Sequence, residues 1–216
     1  MPSLLRIDSS ADPIHSHTRA MTAAFTEAWE GVGPRNVVVA RDLHRDPLPH
    51  LADAGLHWPE RLRPSDAAVP AAAQALQDSL IAELLAADVL LVGAPMYNYS
   101  MPSSLKAWID HIHVPGVTSS FDGDTRPMAG RPAVIVTSRG ASYDAGSASA
   151  GWDHGVPALE LILGTSLGMA VTVVSTSLTL AQTTTLFADQ LPRADSEFAN
   201  AKAKAARLAR ELGEQA

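Results

Sequence analysis

A chain of 216 residues, 46% of them hydrophobic, can enclose one well-formed core, and it is read as a single domain over residues 1–216. The formal net charge of −7, with acidic and basic residues interspersed, lacks the basic stripe that a nucleic-acid partner requires; a small anionic ligand held by amides and hydroxyls remains open. With no cysteine, disulfides, thiolate metal sites, iron–sulfur clusters and a cysteine nucleophile are excluded.

The opening MPSLLRIDSS has neither a basic n-region nor a long apolar h-region, and no apolar run approaches a membrane span. A cytoplasmic protein that works away from membranes is the expectation.

SLLRI (Ser3 to Ile7) is a short strand that runs into a polar loop, DSSADPIHSHTR. SHTRAMTAAFTEAWEGV follows as a helix, with Met21, Phe25, Ala28 and Trp29 at helical spacing and Gly31 and Gly33 near its end. NVVVARDL (Asn36 to Leu43) is the second strand. The proline-dotted stretch RDPLPHLADAGLHWPERLRPSDAAVP is an irregular excursion, too apolar at Leu51, Leu56 and Trp58 to hang in solvent. A helix from about Val69 to Ala87 carries Leu76, Leu80, Leu84 and Leu85.

DVLLVGAP is the third strand, apolar on both faces as a central parallel strand must be. After the loop MYNYS a helix runs from Pro102 to His111 with proline in its first turn. GVTSSFDGDTRPMAG is loop, PAVIVTSRG the fourth strand, Gly155 to Leu167 a helical segment and AVTVVSTSL the fifth strand. RADSEFANAKAKAARLAREL closes the chain as an amphipathic helix with Phe198, Ala205, Leu208 and Leu212 inward.

Strands alternating with helices predict a parallel, doubly wound α/β sheet. In the order 2-1-3-4-5, a ligand sits beyond the C-terminal strand ends, between the loops after strands one and three, with the loop after strand four alongside. These three loops are the ones with unusual composition.

Loop one offers Ser9, Ser10, Ser16, His17 and Thr18 at a helix start, where free N–H groups and the helix dipole favour an anion. Ser16 equally suits an N-cap. Neither GxGxxG nor GxxxxGK[ST] occurs, so an ordinary dinucleotide fingerprint or P-loop is not expected.

Loop three sets Met96, Tyr97 and Tyr99 as polarizable and aromatic surface for a planar ring, and Asn98 as a donor and acceptor that tolerates strained turns; core filling is the alternative. Loop four combines Ser138, Arg139 and Tyr143 with Gly140 and Ala141, whose small size lets a ring approach the main chain. Arg139 alone would read as a surface charge. No metal site is expected: HWPE, HLAD and DHIH lack partners, and His111 and His113 lie two apart, on different sides of a helix.

APMYNYSMPSSLKAWID, with TSRGASY, the early DSS…SHTR and LRPSDA, resembles the FMN-dependent NADH:azoreductase family of flavodoxin-like NAD(P)H:quinone reductases over essentially the whole chain. The resemblance implies a flavodoxin-like three-layer sandwich and an FMN-binding homodimer with its active site at the subunit interface. It implies two-electron transfer from NADH or NADPH, by way of flavin N5 in a ping-pong scheme, to quinones and aromatic azo compounds. By matching motif, Ser10, Ser16, His17 and Thr18 would hold the phosphate side. Met96, Tyr97, Asn98, Tyr99, Ser138, Arg139, Gly140 and Ala141 would hold the ring system.

Tyr99, Phe121 and Tyr143 are the candidate substrate contacts. Because the cofactor carries the chemistry, no catalytic residue is assigned, although His17 and Tyr143 could assist protonation. Three departures bear on the substrate face: Gly140-Ala141 stands where the family has two glycines, the loop after the third helix is short with its aromatic displaced to Phe121, and GTSLGM lacks an aromatic. The rival readings are a flavodoxin-type carrier, an FMN-binding protein without turnover, and a hydrolase using Ser9 or Ser10. The last lacks a G-x-S-x-G elbow.

Overall fold

The structure, a computed structural model describing residues 1–216, realises the expected strand order. Strands β1 (Ser3–Asp8), β2 (Val37–Asp42), β3 (Val89–Gly93), β4 (Pro132–Ser138) and β5 (Ala170–Thr176) pair in parallel as β2-β1-β3-β4-β5. Five helices flank them: α1 (His17–Glu30), α2 (Ala71–Ala86), α3 (Ser103–Ile112), α4 (Gly155–Leu159) and α5 (Leu191–Gln215).

Side chains alternate across a strand, so each strand feeds two cores. Leu5, Ile7, Leu90, Val92, Ala133 and Ile135 face α2, α3 and α4, meeting Leu80, Leu84, Trp108, Ile109 and Leu159. Leu4, Val89, Leu91, Val134 and Val136 face the opposite layer, meeting Met21, Phe25 and Trp29 of α1 and Ala201, Ala205 and Ala209 of α5. The result is a three-layer sandwich. Each fully buried large side chain here contributes roughly 1.5–3 kcal/mol.

The seam on α5 departs in detail from expectation. It is the alanine ridge Ala201, Ala205, Ala209 and then Gly213 that is buried, with Phe198, Leu208 and Leu212 at its margins. Small residues let α5 lie close to α1; a Cβ on Gly213 would come 3.3 Å from the Trp29 ring.

Two further differences have local causes. The helical segment after Gly155 is α-helical only to Leu159 and continues to Ser166 as a π-helix, whose hydrogen bonds span one residue more. Between β5 and α5 stand two 3-10 turns, Thr179–Gln182 and Thr185–Gln190, which no hydrophobic period announces.

The proline-dotted excursion is held by polar groups as well as by Leu56. The Gln77 amide donates to the Leu56 and His111 carbonyls, at 2.8 and 3.1 Å, and the His111 ring sits 2.9 Å from the Pro49 carbonyl. His111 is therefore a buried structural histidine.

Candidate functional site

Beyond β1 the chain turns through Ser9 and Ser10 into α1. Ser9 is buried and donates to the Gly93 carbonyl at 2.7 Å, which commits its hydroxyl to the sheet. Neither Ser9 nor Ser10 is bonded to a histidine, so the hydrolase reading has no base.

Ser16 does cap α1, accepting from the Arg19 amide at 3.2 Å, with its hydroxyl 2.9 Å from that of Thr18. The cap takes one amide. Those of His17 and Thr18 point out of the first turn without a protein acceptor, which keeps the anion reading open beside the cap.

Arg19 is not available to such an anion. It binds Asp42 through two nitrogens, at 2.7 and 2.8 Å, and the Ser10 carbonyl at 2.7 Å. The guanidinium hydrogen bonds hold the Asp42 carboxyl far below the usual carboxylate range. Loop one is thereby tied to the end of β2.

The quoted aromatic loop is a hairpin. Tyr97 and Ser100 exchange both backbone hydrogen bonds, 2.8 and 3.1 Å, around Asn98 and Tyr99, whose φ angles are 49° and 69°. A two-residue turn with both central φ positive ordinarily selects Asn-Gly. Asparagine fits; tyrosine at positive φ is strained by about 1–3 kcal/mol. Its ring stays half exposed and meets Trp152 edge to face at 5.7 Å.

Loops three and four leave the sheet together, because the Ala94 and Met96 amides donate to the Val136 and Ser138 carbonyls at 2.8 and 2.9 Å. Loops one and three are joined by Tyr97, whose hydroxyl accepts from the Ala11 amide at 2.9 Å and lies 3.4 Å from Ser10 Oγ.

Arg139 is no surface charge. Its guanidinium lies 2.6 Å from Asp153 Oδ2, and the two side chains are only 17% and 13% exposed. The contact, from Nη2, lacks hydrogen-bond geometry and leaves Asp153 Oδ2 buried without a hydrogen bond; Arg139 Nε is likewise buried and unpaired. Ala141 has no positive φ, so it replaces a glycine without strain. Gly140 faces a neighbour that was not expected: a Cβ there would lie 3.0 Å from the Leu180 side chain.

A cavity of about 230 Å³ gathers Ser10, Ser16, His17, Tyr97 and Ser138 and is closed by Leu180, Gln182 and Thr183. Leu180 and its neighbours were not foreseen; the Thr179 and Leu180 amides donate to the Arg139 and Gly140 carbonyls at 3.1 Å each, making this turn a cover on loop four. His17 stacks edge-on to Phe198 at 4.3 Å, and burial lowers its pKa, favouring the neutral ring at neutral pH. Burial, with the Asp153 carboxylate nearby, raises the Tyr143 pKa and keeps it a phenol.

Across the hairpin a second cleft of about 570 Å³ is lined by Tyr97, Asn98, Met101, Lys106 and Ile162, among others. Phe121 reaches neither cavity; it stacks on Trp58 at 5.0 Å in the excursion, with Asp122 paired to Arg61. GTSLGM supplies no ring, its Ser166 hydroxyl instead meeting His113 Nε2 at 2.7 Å.

Free amides at the start of a long helix, neighbouring hydroxyls, and an aromatic hairpin at the switch point make this a flavodoxin-like α/β protein with a corner suited to a phosphate and an attached flat ring. The first cavity is smaller than the roughly 300–1,000 Å³ of sites that engulf a whole ligand.

A family model described as flavodoxin-like fold matches residues 2–211. A protein of Kineococcus radiotolerans named FMN-dependent NADH:quinone oxidoreductase is 56% identical over 212 residues, 98% of this chain and 100% of its own. One of the same name from Streptomyces coelicolor is 39% identical over 219 residues, 100% and 97% of the two chains. The crystal structure of an azoreductase from Bacillus anthracis has a TM-score of 0.81 over 98% of this chain and 100% of its own, at 20% identity. An FMN-dependent NADH-azoreductase from the same species, solved in complex with FMN, gives 0.77 over 97% and 100%, at 16% identity. These two likenesses bear on the fold. The chain belongs to the FMN-dependent NADH:quinone oxidoreductase family.

Proposed function

We propose that the protein is an enzyme that passes two electrons from NADH to quinones and aromatic azo compounds, with FMN held across the three loops. The observation that carries this is the hairpin at Tyr97–Ser100, which keeps Tyr99 at positive φ with its ring exposed while Tyr97 of the same hairpin lines the first cavity. When bound, the flavin supplies the two-electron chemistry. The His17 and Thr18 amides, with Ser10 and Ser16, would take the phosphate. Met96 and the hairpin would carry the ring, Asn98 offering it a donor and an acceptor, and Arg139 would bring a fixed positive charge to loop four.

His17, neutral and half-buried, would take up a proton and the Tyr143 phenol would give one, each changing its charge by one as it does so. The second cleft, sharing Tyr97 with the first, gives an acceptor somewhere to dock, which a flavodoxin-type carrier would not need. We place Tyr99 at that face. Phe121 and the exposed hairpin rings would serve it from a second copy in a homodimer, since an uncovered aromatic patch is costly. NADH, and not NADPH, is the donor in the relatives' names.

The test is NADH oxidation by the FMN-loaded protein with menadione and with an aromatic azo dye. A flavin taking electrons only from a partner reductase would favour the carrier.

A further inference from the structure

The stretch from Trp152 to Gly155 lines neither cavity described above, yet it is bonded to two of the loops that do. Asp153 Oδ2 contacts Arg139 of loop four at 2.6 Å. The other oxygen, Oδ1, accepts from the Gly155 and Val156 amides at 2.9 and 3.0 Å and so fixes the carboxylate to the start of α4. One residue on, the His154 amide donates to the Tyr99 carbonyl at 2.8 Å. Gly155 then passes so close beneath the hairpin that a Cβ would lie 3.0 Å from the Ser100 carbonyl carbon and 3.1 Å from the Met101 nitrogen.

These contacts fall where the two loops are least self-sufficient. Tyr99 keeps a positive φ, and such strain persists only where the surroundings over-determine it. Loop four carries a mostly buried guanidinium, which without a counter-charge would draw the loop toward solvent. One short segment answers both.

We propose that Asp153 is a positioning residue of the flavin site. Its carboxylate holds Arg139 and, by anchoring the segment to α4, sets where the His154 amide and the Gly155 backbone meet the hairpin. Loops three and four are thus registered against each other before any ligand arrives. The inference rests on the flavin reading of this site.

The test titrates FMN into the full-length wild type and into Asp153→Asn and Asp153→Ser. Both replacements keep a side-chain oxygen for the α4 amides and remove the charge that holds Arg139. Both variants are expected to keep the wild-type far-ultraviolet circular dichroism yet bind FMN about tenfold more weakly or worse, the loss expected for a charged contact. At saturating FMN their flavin absorption bands should be displaced from the wild-type positions, which a purely structural carboxylate would not cause. Binding within about twofold of wild type with an unaltered spectrum in either variant overturns the proposal. So does failure of both variants to fold, which would assign the carboxylate to the fold. If the wild type takes up no FMN, the flavin reading itself fails and this inference with it.

Discussion

The Tyr97 hydroxyl accepts the Ala11 amide at 2.9 Å and lies 3.4 Å from Ser10 Oγ, so a side chain from the loop after β3 closes the loop after β1. One residue thus lines both cavities, the one proposed for the phosphate and the one proposed for the acceptor.

Tyr97→Phe keeps the ring and deletes these bonds. It should destabilise the apoprotein by about 1 kcal/mol and weaken FMN binding several-fold, roughly what one neutral hydrogen bond provides. Chemical denaturation and fluorescence titration read the two effects; unaltered affinity would separate this bond from the cofactor corner.

Tyr99→Gly should split stability from function. Glycine adopts the φ of 69° without penalty, so unfolding should cost about 0.5–1 kcal/mol more than in the wild type, or at least no less once the Trp152 contact is lost. Acceptor KM should rise, because the ring proposed for the acceptor face is gone. A variant less stable than wild type with normal KM would mean that the tyrosine serves packing alone.

Gly140→Val pushes into Leu180, which a Cβ would already approach to 3.0 Å. FMN affinity should fall as the covering turn is displaced, and Leu180→Ala in the same chain should restore most of it. Absence of rescue would place the collision with the ligand itself.

Asp42 sets an acid limit. Its folded pKa lies below its unfolded one, so its contribution is complete above the ordinary carboxylate range and is lost as the pH falls toward the folded value. Asp42→Asn should cost about 1.5–3 kcal/mol at pH 7, the range for a hydrogen bond to a charged group, and should flatten the decline of stability below roughly pH 4. Urea unfolding at neutral and acid pH tests this; parallel pH profiles would show that the Arg19 pair does not govern it.

What could be read from the sequence follows from period and punctuation. Continuous apolar runs such as Val89–Val92, alternating with helical stripes such as Met21, Phe25 and Trp29, prescribe parallel strands and their covering helices. The loops at the switch point stand out because MYNY is poor turn chemistry for a bare connection. Long-range partners leave no such trace. That Arg139 pairs with Asp153, Tyr97 with Ala11 and Gln77 with two carbonyls is decided by packing between segments distant in sequence. Asp153 has a local signal, an aspartate two residues before a helical glycine, but that signal speaks of a cap and not of an ion pair. The turns from Thr179 to Gln190 escape because threonine-rich 3-10 structure has no hydrophobic repeat. Phe121 was expected on the substrate face from its motif position, whereas within the chain its ring has Trp58 for a neighbour.

The most direct test of the account is a fluorescence titration of FMN into the purified chain. The three loops converging at one switch point predict that flavin emission is quenched and that quenching saturates at about one equivalent per chain under tight-binding conditions. Emission that stays at the free-flavin level with excess protein would contradict it.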